Sequence, residues 1–138
     1  MSTLEVVENK ISAVRKYLKI LENYQDHSQQ EIEESIHLRG AVERYLYLVI
    51  QATIDLASSY VTYKDLRKPT TMRESFEILA EEDIISDELT QNLTQMVGFR
   101  NIISHDYGEL DYDIVYDTLQ NELKNIKDFV TIVKGQIE

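Results

Sequence analysis

Between Tyr112 and Ile137 the apolar residues recur at steps of four and three: Tyr112, Tyr116, Leu119, Leu123, Ile126, Val130, Val133 and Ile137. An α-helix returns to the same face at that interval, whereas a strand does so every second residue. A stripe this regular needs an apolar partner. Leu4, Val7, Ile11, Val14, Leu18 and Leu21 supply a second stripe of the same kind near the N-terminus. Four Gly and one Pro in 138 residues leave few places to break a helix. Long helices with short connections are therefore expected, and a β-rich fold is not.

The rest of the chain reads the same way. A polar stretch from Asn23 to Gln30 separates the first stripe from the second helical pattern, and Ser28-x-x-Glu31 has the form of a capping box. The spacing predicts one long second helix from Gln29 into the low sixties. From Ala41 onward its apolar residues spread around the cylinder, so it is expected to be enclosed by other helices. One polar row survives on it: Glu43, Tyr47, Gln51 and Asp55, at four-residue spacing and so on one face. That row reads either as the lining of a cleft or as a hydrogen-bonded seam between helices. Pro69 interrupts helical geometry, and Thr71-x-x-Glu74 can open a short helix carrying Met72, Phe76 and Leu79. Ser86 is a suitable N-cap for a fourth helix running through Leu89, Leu93, Met96 and Val97, and Asp111 can cap the last. The expected architecture is all-α: one domain, 1–138, folded as an up-and-down bundle of four main helices plus one short helix.

Composition narrows the function. At 43% hydrophobic residues the chain can bury a core. The absence of Cys excludes disulfides and Cys-ligated zinc. No basic patch followed by an apolar run marks a signal peptide, and no apolar stretch is long enough to span a bilayer, so a soluble cytoplasmic protein with no membrane association is expected. Glu34-x-x-His37 has the spacing of a di-iron ligand pair but lacks the second pair such bundles need. Asp113 and Asp117 share a helix face without a third ligand type. No phosphate-cradling Gly-rich loop, G-x-S-x-G element or Cys nucleophile is present. No metal and no cofactor is therefore expected. The net charge of −11 argues against broad, nonspecific RNA affinity. Local basic groups remain, at Arg15, Lys16 and Lys19 and at Lys64, Arg67, Lys68 and Arg73.

Arg100 is out of place in this pattern. It falls on the apolar stripe of the fourth helix, seven residues after Leu93. A charge there must be paired, meet an interface, or line a wet cleft. Asn101 follows it directly, and His105 and Tyr107 come within a further turn or two, before Gly108, a residue suited to ending a helix. Metal-free cleavage of RNA needs a proton acceptor for the ribose 2′-hydroxyl, a proton donor for the leaving oxygen, and a cation for the charge on phosphorus. A His titrates near neutrality, and a helix C-terminus with Asp106 beside it favours its protonated form. An Arg offers a permanent charge and a bidentate phosphate contact.

The pattern Arg100-x4-His105-x-Tyr107, with a polar Asn101 after the Arg, resembles the signature of the HepT-like toxins of the HEPN superfamily. The long helix containing Arg39-Gly40-Ala41-Val42-Glu43-Arg44 is similar to that superfamily's central helix. The resemblance implies a metal-independent endoribonuclease toxin, acting as a homodimer whose Arg and His meet across the subunit cleft, with tRNA as substrate. It implies Arg100 and His105 as catalytic residues with Asn101 assisting. Glu43, Tyr47, Gln51 and Asp55 are candidates to line the cleft. It further implies that a MntA-like nucleotidyltransferase antitoxin silences the protein by transferring AMP to Tyr107. The competing expectation is a non-catalytic module that binds a nucleotide or a protein and scaffolds a nucleotidyltransferase partner.

Overall fold

The computed structural model describes residues 2–105 and 110–138, with the backbone alone for 104 and 105. Among the described residues seven α-helices follow one another: α1 (Thr3–Glu22), α2 (Gln29–Glu34), α3 (Ile36–Tyr63), α4 (Met72–Glu81), α5 (Asp87–His105), α6 (Tyr112–Asp117) and α7 (Leu123–Ile137). A π-helical turn, Thr118–Glu122, joins the last two. The expected all-α bundle is what forms, with α1, α3, α5 and the α6–α7 rod as its four long members.

The helix starts are fixed by side chains. Ser2 Oγ accepts the Glu5 amide at 3.1 Å, and Thr71 Oγ1 accepts that of Glu74 at 3.1 Å. Ser86 Oγ accepts from Leu89 N at 3.1 Å, and the Asp111 carboxylate accepts from Asp113 N at 3.0 Å. Ser28 and Glu31 form the full capping box. Each cap satisfies a donor that the first helical turn leaves unpaired.

One boundary differs from expectation. The single long second helix is interrupted at Ser35, whose backbone is extended (φ −103°, ψ 115°). Ser35 Oγ accepts from Leu38 N at 3.2 Å, so the residue acts as an N-cap and restarts the helix in a new direction. A second short helix, α2, results.

The α3 helix is the centre of the bundle. α1 lies along it, and α2, α4 and α5 also pack on it. Its buried residues, from Val42 through Leu46, Ile50, Leu56 and Tyr60 to Val61, cover rather more than half of the cylinder, so the helix is less fully enclosed than expected: a strip through Arg44, Gln51, Asp55 and Ser58 stays half-buried or exposed. The α7 helix packs on α1 and α5, whereas α6 packs on α2. Phe76 of α4 meets Phe129 of α7 edge to face, with centroids 5.6 Å apart, and closes the core between them.

The connection after α3 turns through Asp65, at φ 55°, and is clamped by Arg67. Arg67 Nη1 donates to Glu74 Oε1 at 2.6 Å and Nη2 to Glu81 Oε1 at 2.6 Å, while Thr70 Oγ1 donates to Glu74 Oε2 at 2.7 Å. The Thr70 hydroxyl first, and Arg67 second, hold the Glu74 carboxyl below the usual range, and Arg67 does the same for Glu81. Arg67 is thereby removed from the basic group read around it in the sequence.

The π turn is tied to the α1–α2 connection. Gln25 Nε2 donates to the Leu119 carbonyl at 2.9 Å, and Gln120 Nε2 returns a bond to the Gln25 carbonyl at 2.7 Å. A widened turn opens its carbonyls to such side chains.

Candidate functional site

The α5 helix is anchored by Leu89, Leu93, Met96 and Val97, all buried, and near its C-terminal end by Phe99 and Ile103. That anchoring sets Arg100 half-buried beside α3. Its Nη2 donates to the Tyr47 hydroxyl at 3.1 Å and its Nη1 to Asn101 Oδ1 at 2.7 Å. The guanidinium carbon stands 5.0 Å from the centroid of the Tyr47 ring. Nε is buried without an acceptor among the described residues. No carboxylate within ion-pair distance answers the charge among those residues either. Two neutral groups and an aromatic face therefore hold a full positive charge in place without cancelling it.

The polar row of α3 divides. Glu43, Tyr47, Gln51 and Asp55 are all half-buried. Tyr47 joins Arg100. Gln51 Nε2 donates to Asp55 Oδ1 at 3.0 Å, which makes a seam of those two, though Gln51 Oε1 is buried without a donor among the described residues. Glu43 turns toward α6, where it accepts from the Tyr112 hydroxyl. Arg39 completes that group: its Nε donates to Tyr112 Oη at 3.1 Å, lies 3.6 Å from Glu43 Oε2, and its guanidinium sits 4.7 Å from the Tyr112 centroid. Burial pushes the Glu43 carboxyl above the usual carboxylate range, and Arg39 draws it part of the way back.

Sequence reasoning missed two participants. Arg44, one turn before Tyr47, places its guanidinium carbon 5.9 Å from the same ring centroid. Its only signal was the i,i+3 spacing to Tyr47, which charged residues on long helices show often. Tyr112 was read as one member of an apolar stripe, and its hydroxyl ties α6 to Glu43 and Arg39 of α3. Of the remaining candidates, His105 is the last residue of α5, but its side chain lies outside the described residues, as do Tyr107 and Gly108.

Among the described residues no group of three His or acidic side chains is gathered closely enough to hold a metal. No described helix is long and apolar enough to cross a membrane. What the site offers is a fixed guanidinium, an aromatic face and an amide at the C-terminal end of a helix. That set suits a phosphate ester.

Residues 14–133 match the sequence profile of the family described as Ribonuclease HepT-like. The mRNA nuclease HepT of Shewanella oneidensis is 33% identical over 133 residues, covering 96% of this chain and 98% of that one. The tRNA nuclease HepT of Aphanizomenon flos-aquae is 25% identical over 132 residues, covering 96% and 90%. The tri-AMPylated Shewanella oneidensis HEPN toxin, solved in complex with its MNT antitoxin, superposes with a TM-score of 0.86 at 33% identity, covering 98% of this chain and 99% of that one. Fold, family profile and near full-length similarity coincide: the chain belongs to the HepT-like ribonucleases, the HEPN toxins of toxin–antitoxin systems.

Proposed function

We propose that this chain is a metal-independent endoribonuclease toxin that cleaves RNA through Arg100 and His105 in a homodimeric cleft. The observation that carries the reading is the state of Arg100. Its charge is held by Tyr47 and Asn101, half-buried, and unanswered by any carboxylate among the described residues. Removing a guanidinium from bulk water without a counter-ion is unfavourable, and an arriving phosphate relieves the cost.

In the reaction, the ribose 2′-oxygen attacks the adjacent phosphorus as one His105 accepts its proton. The bond to the 5′-oxygen breaks, and that oxygen takes a proton from the His105 of the second copy. The products are a 2′,3′-cyclic phosphate and a 5′-hydroxyl end. Arg100 stabilises the charge that builds on the phosphoryl oxygens, and Asn101 orients Arg100. Two copies supply the two His residues that the acid and base roles require. Ile102, one turn or less from His105 on α5 and 48% exposed, is an apolar residue that a second protomer would cover. The substrate is RNA; both tRNA and mRNA are candidates, since the two named relatives are a tRNA nuclease and an mRNA nuclease. The control point is Tyr107: its phenolic oxygen attacks the α-phosphorus of ATP on a MntA-like nucleotidyltransferase antitoxin, releasing pyrophosphate and leaving AMP on the toxin. The added bulk and negative charge then occupy the cleft. The pair acts in the cytoplasm, where both ATP and RNA are found.

The test is cleavage of tRNA and mRNA by the purified wild type in EDTA, beside Arg100→Ala and His105→Ala, with the mass of Tyr107 checked for AMP. Wild-type cleavage leaving cyclic phosphate ends is expected, with losses of at least about a hundredfold in each variant. No cleavage by AMP-free wild type rejects the nuclease reading in favour of a nucleotide- or protein-binding module.

A further inference from the structure

Tyr47 carries two guanidinium groups on one ring: Arg100 at 5.0 Å from its centroid and Arg44 at 5.9 Å. The two charges come from different helices, α5 and α3. Their guanidinium carbons are within about 11 Å of each other by these distances. Neither has a carboxylate partner among the described residues. Like charges this close repel, and the face of one phenol ring offsets only part of that repulsion. In a chain with 25 acidic and 14 basic side chains, carboxylates were plentiful enough to answer both.

The two positions are not equivalent. Arg100 is half-buried and gripped by the Tyr47 hydroxyl, whereas Arg44 is exposed. Both are Arg, whose planar fork takes phosphate oxygens in pairs. Arg44 stands one turn from Tyr47 on the most enclosed helix of the bundle, so its starting point is rigid even though its tip is in solvent.

We infer that Arg44 is a second phosphate-binding residue, which grips a backbone phosphate of the RNA beside the one that Arg100 contacts. Tyr47 is the spacer that sets the separation of the two cations. The inference rests on the nuclease reading above and deepens it. Arg44 contributes to holding the strand, and Arg100 to the chemistry. Substrate binding neutralises both charges at once, and the repulsion between them is released in the bound state.

The test compares wild type, Arg44→Ala and Arg44→Lys, with an unfractionated bacterial tRNA pool as probe. Cleavage gives kcat and KM. Binding is measured in the His105→Ala background across a salt series. Arg44→Ala is expected to raise KM about tenfold with a much smaller change in kcat. It should also make the plot of log affinity against log salt shallower by about 0.7 to 0.9, the share of one phosphate contact. Arg44→Lys is expected to restore the salt slope. A variant with unchanged KM and unchanged slope, beside an active wild type, overturns the inference alone. So does a loss traced to a lower melting temperature or an altered oligomeric state with the slope intact, because Arg44 would then serve the fold or the dimer. Wild type that neither cleaves nor binds the tRNA pool or an mRNA assayed beside it overturns the nuclease reading and this inference together.

Discussion

Glu43 shows how a single side chain can belong to a functional row in the sequence and to a structural joint in the fold. It was one of four polar residues at helical spacing, and it leaves the row to bond with Tyr112 and Arg39. Burial, the largest influence, raises its carboxyl above the ordinary value. The folded protein therefore holds this proton to a higher pH than the unfolded chain does. Its contribution to stability falls as pH rises from the ordinary glutamate range through the raised value, and is level above it. Glu43→Gln keeps an oxygen to accept from Tyr112 but cannot ionise. The stability of this variant relative to wild type is expected to grow with pH across that window, as read by urea unfolding at several pH values. A constant difference would show that the carboxyl is not perturbed. At this scale Arg100 was legible, because a charge on an apolar stripe stands out. Its partner Tyr47 was legible as a face-sharing residue, but not as a partner. Arg44 was not legible at all, since an exposed charge on a long helix is the common case and only the ring contact distinguishes it.

At the level of helices, the caps were readable because their chemistry is local. Ser28, Thr71, Ser86 and Asp111 each cap the helix start that the sequence pattern assigned to them. Ser35 was not readable. Serine is tolerated inside helices, and Ile32 and Ile36 continue the periodic pattern straight across it. The extended backbone there is a tertiary result, with Ser35 Oγ then supplying the acceptor that keeps the restarted helix satisfied in hydrogen bonds. Ser35→Ala is expected to cost about 1 kcal/mol, as loss of a helix N-cap does, measured by chemical denaturation. Ser35→Asp, which retains an acceptor, should recover most of it. Equal destabilisation by both would mean that the Leu38 amide does not depend on this side chain.

Over the whole molecule, the apolar stripes were enough to read an all-α bundle with α3 at its centre. They could not say which stripe meets which. That α6 packs on α2 while α7 packs on α1 and α5 is a matter of three-dimensional complementarity that no single helix records. The four-and-three spacing also ran through Thr118–Glu122 without a break, so nothing in it announced the π turn. That turn has a consequence for how the family can vary in length. Deleting one residue from an ordinary helix rotates everything downstream by about 100° and swings its apolar face into water. A π turn holds one residue more than an α turn needs for the same advance, so losing one there returns the rod to regular geometry with α7 still in its seat. Removal of the exposed Asn121 is therefore expected to leave a folded, cooperatively melting protein. Removal of the equally exposed Lys127, inside α7, should abolish the folded state. Circular dichroism melts of the two deletions compare them directly, and equal damage would refute the idea. If it holds, sequence gaps among relatives should gather at this joint, and an alignment that spreads them along the final helix misplaces an old insertion.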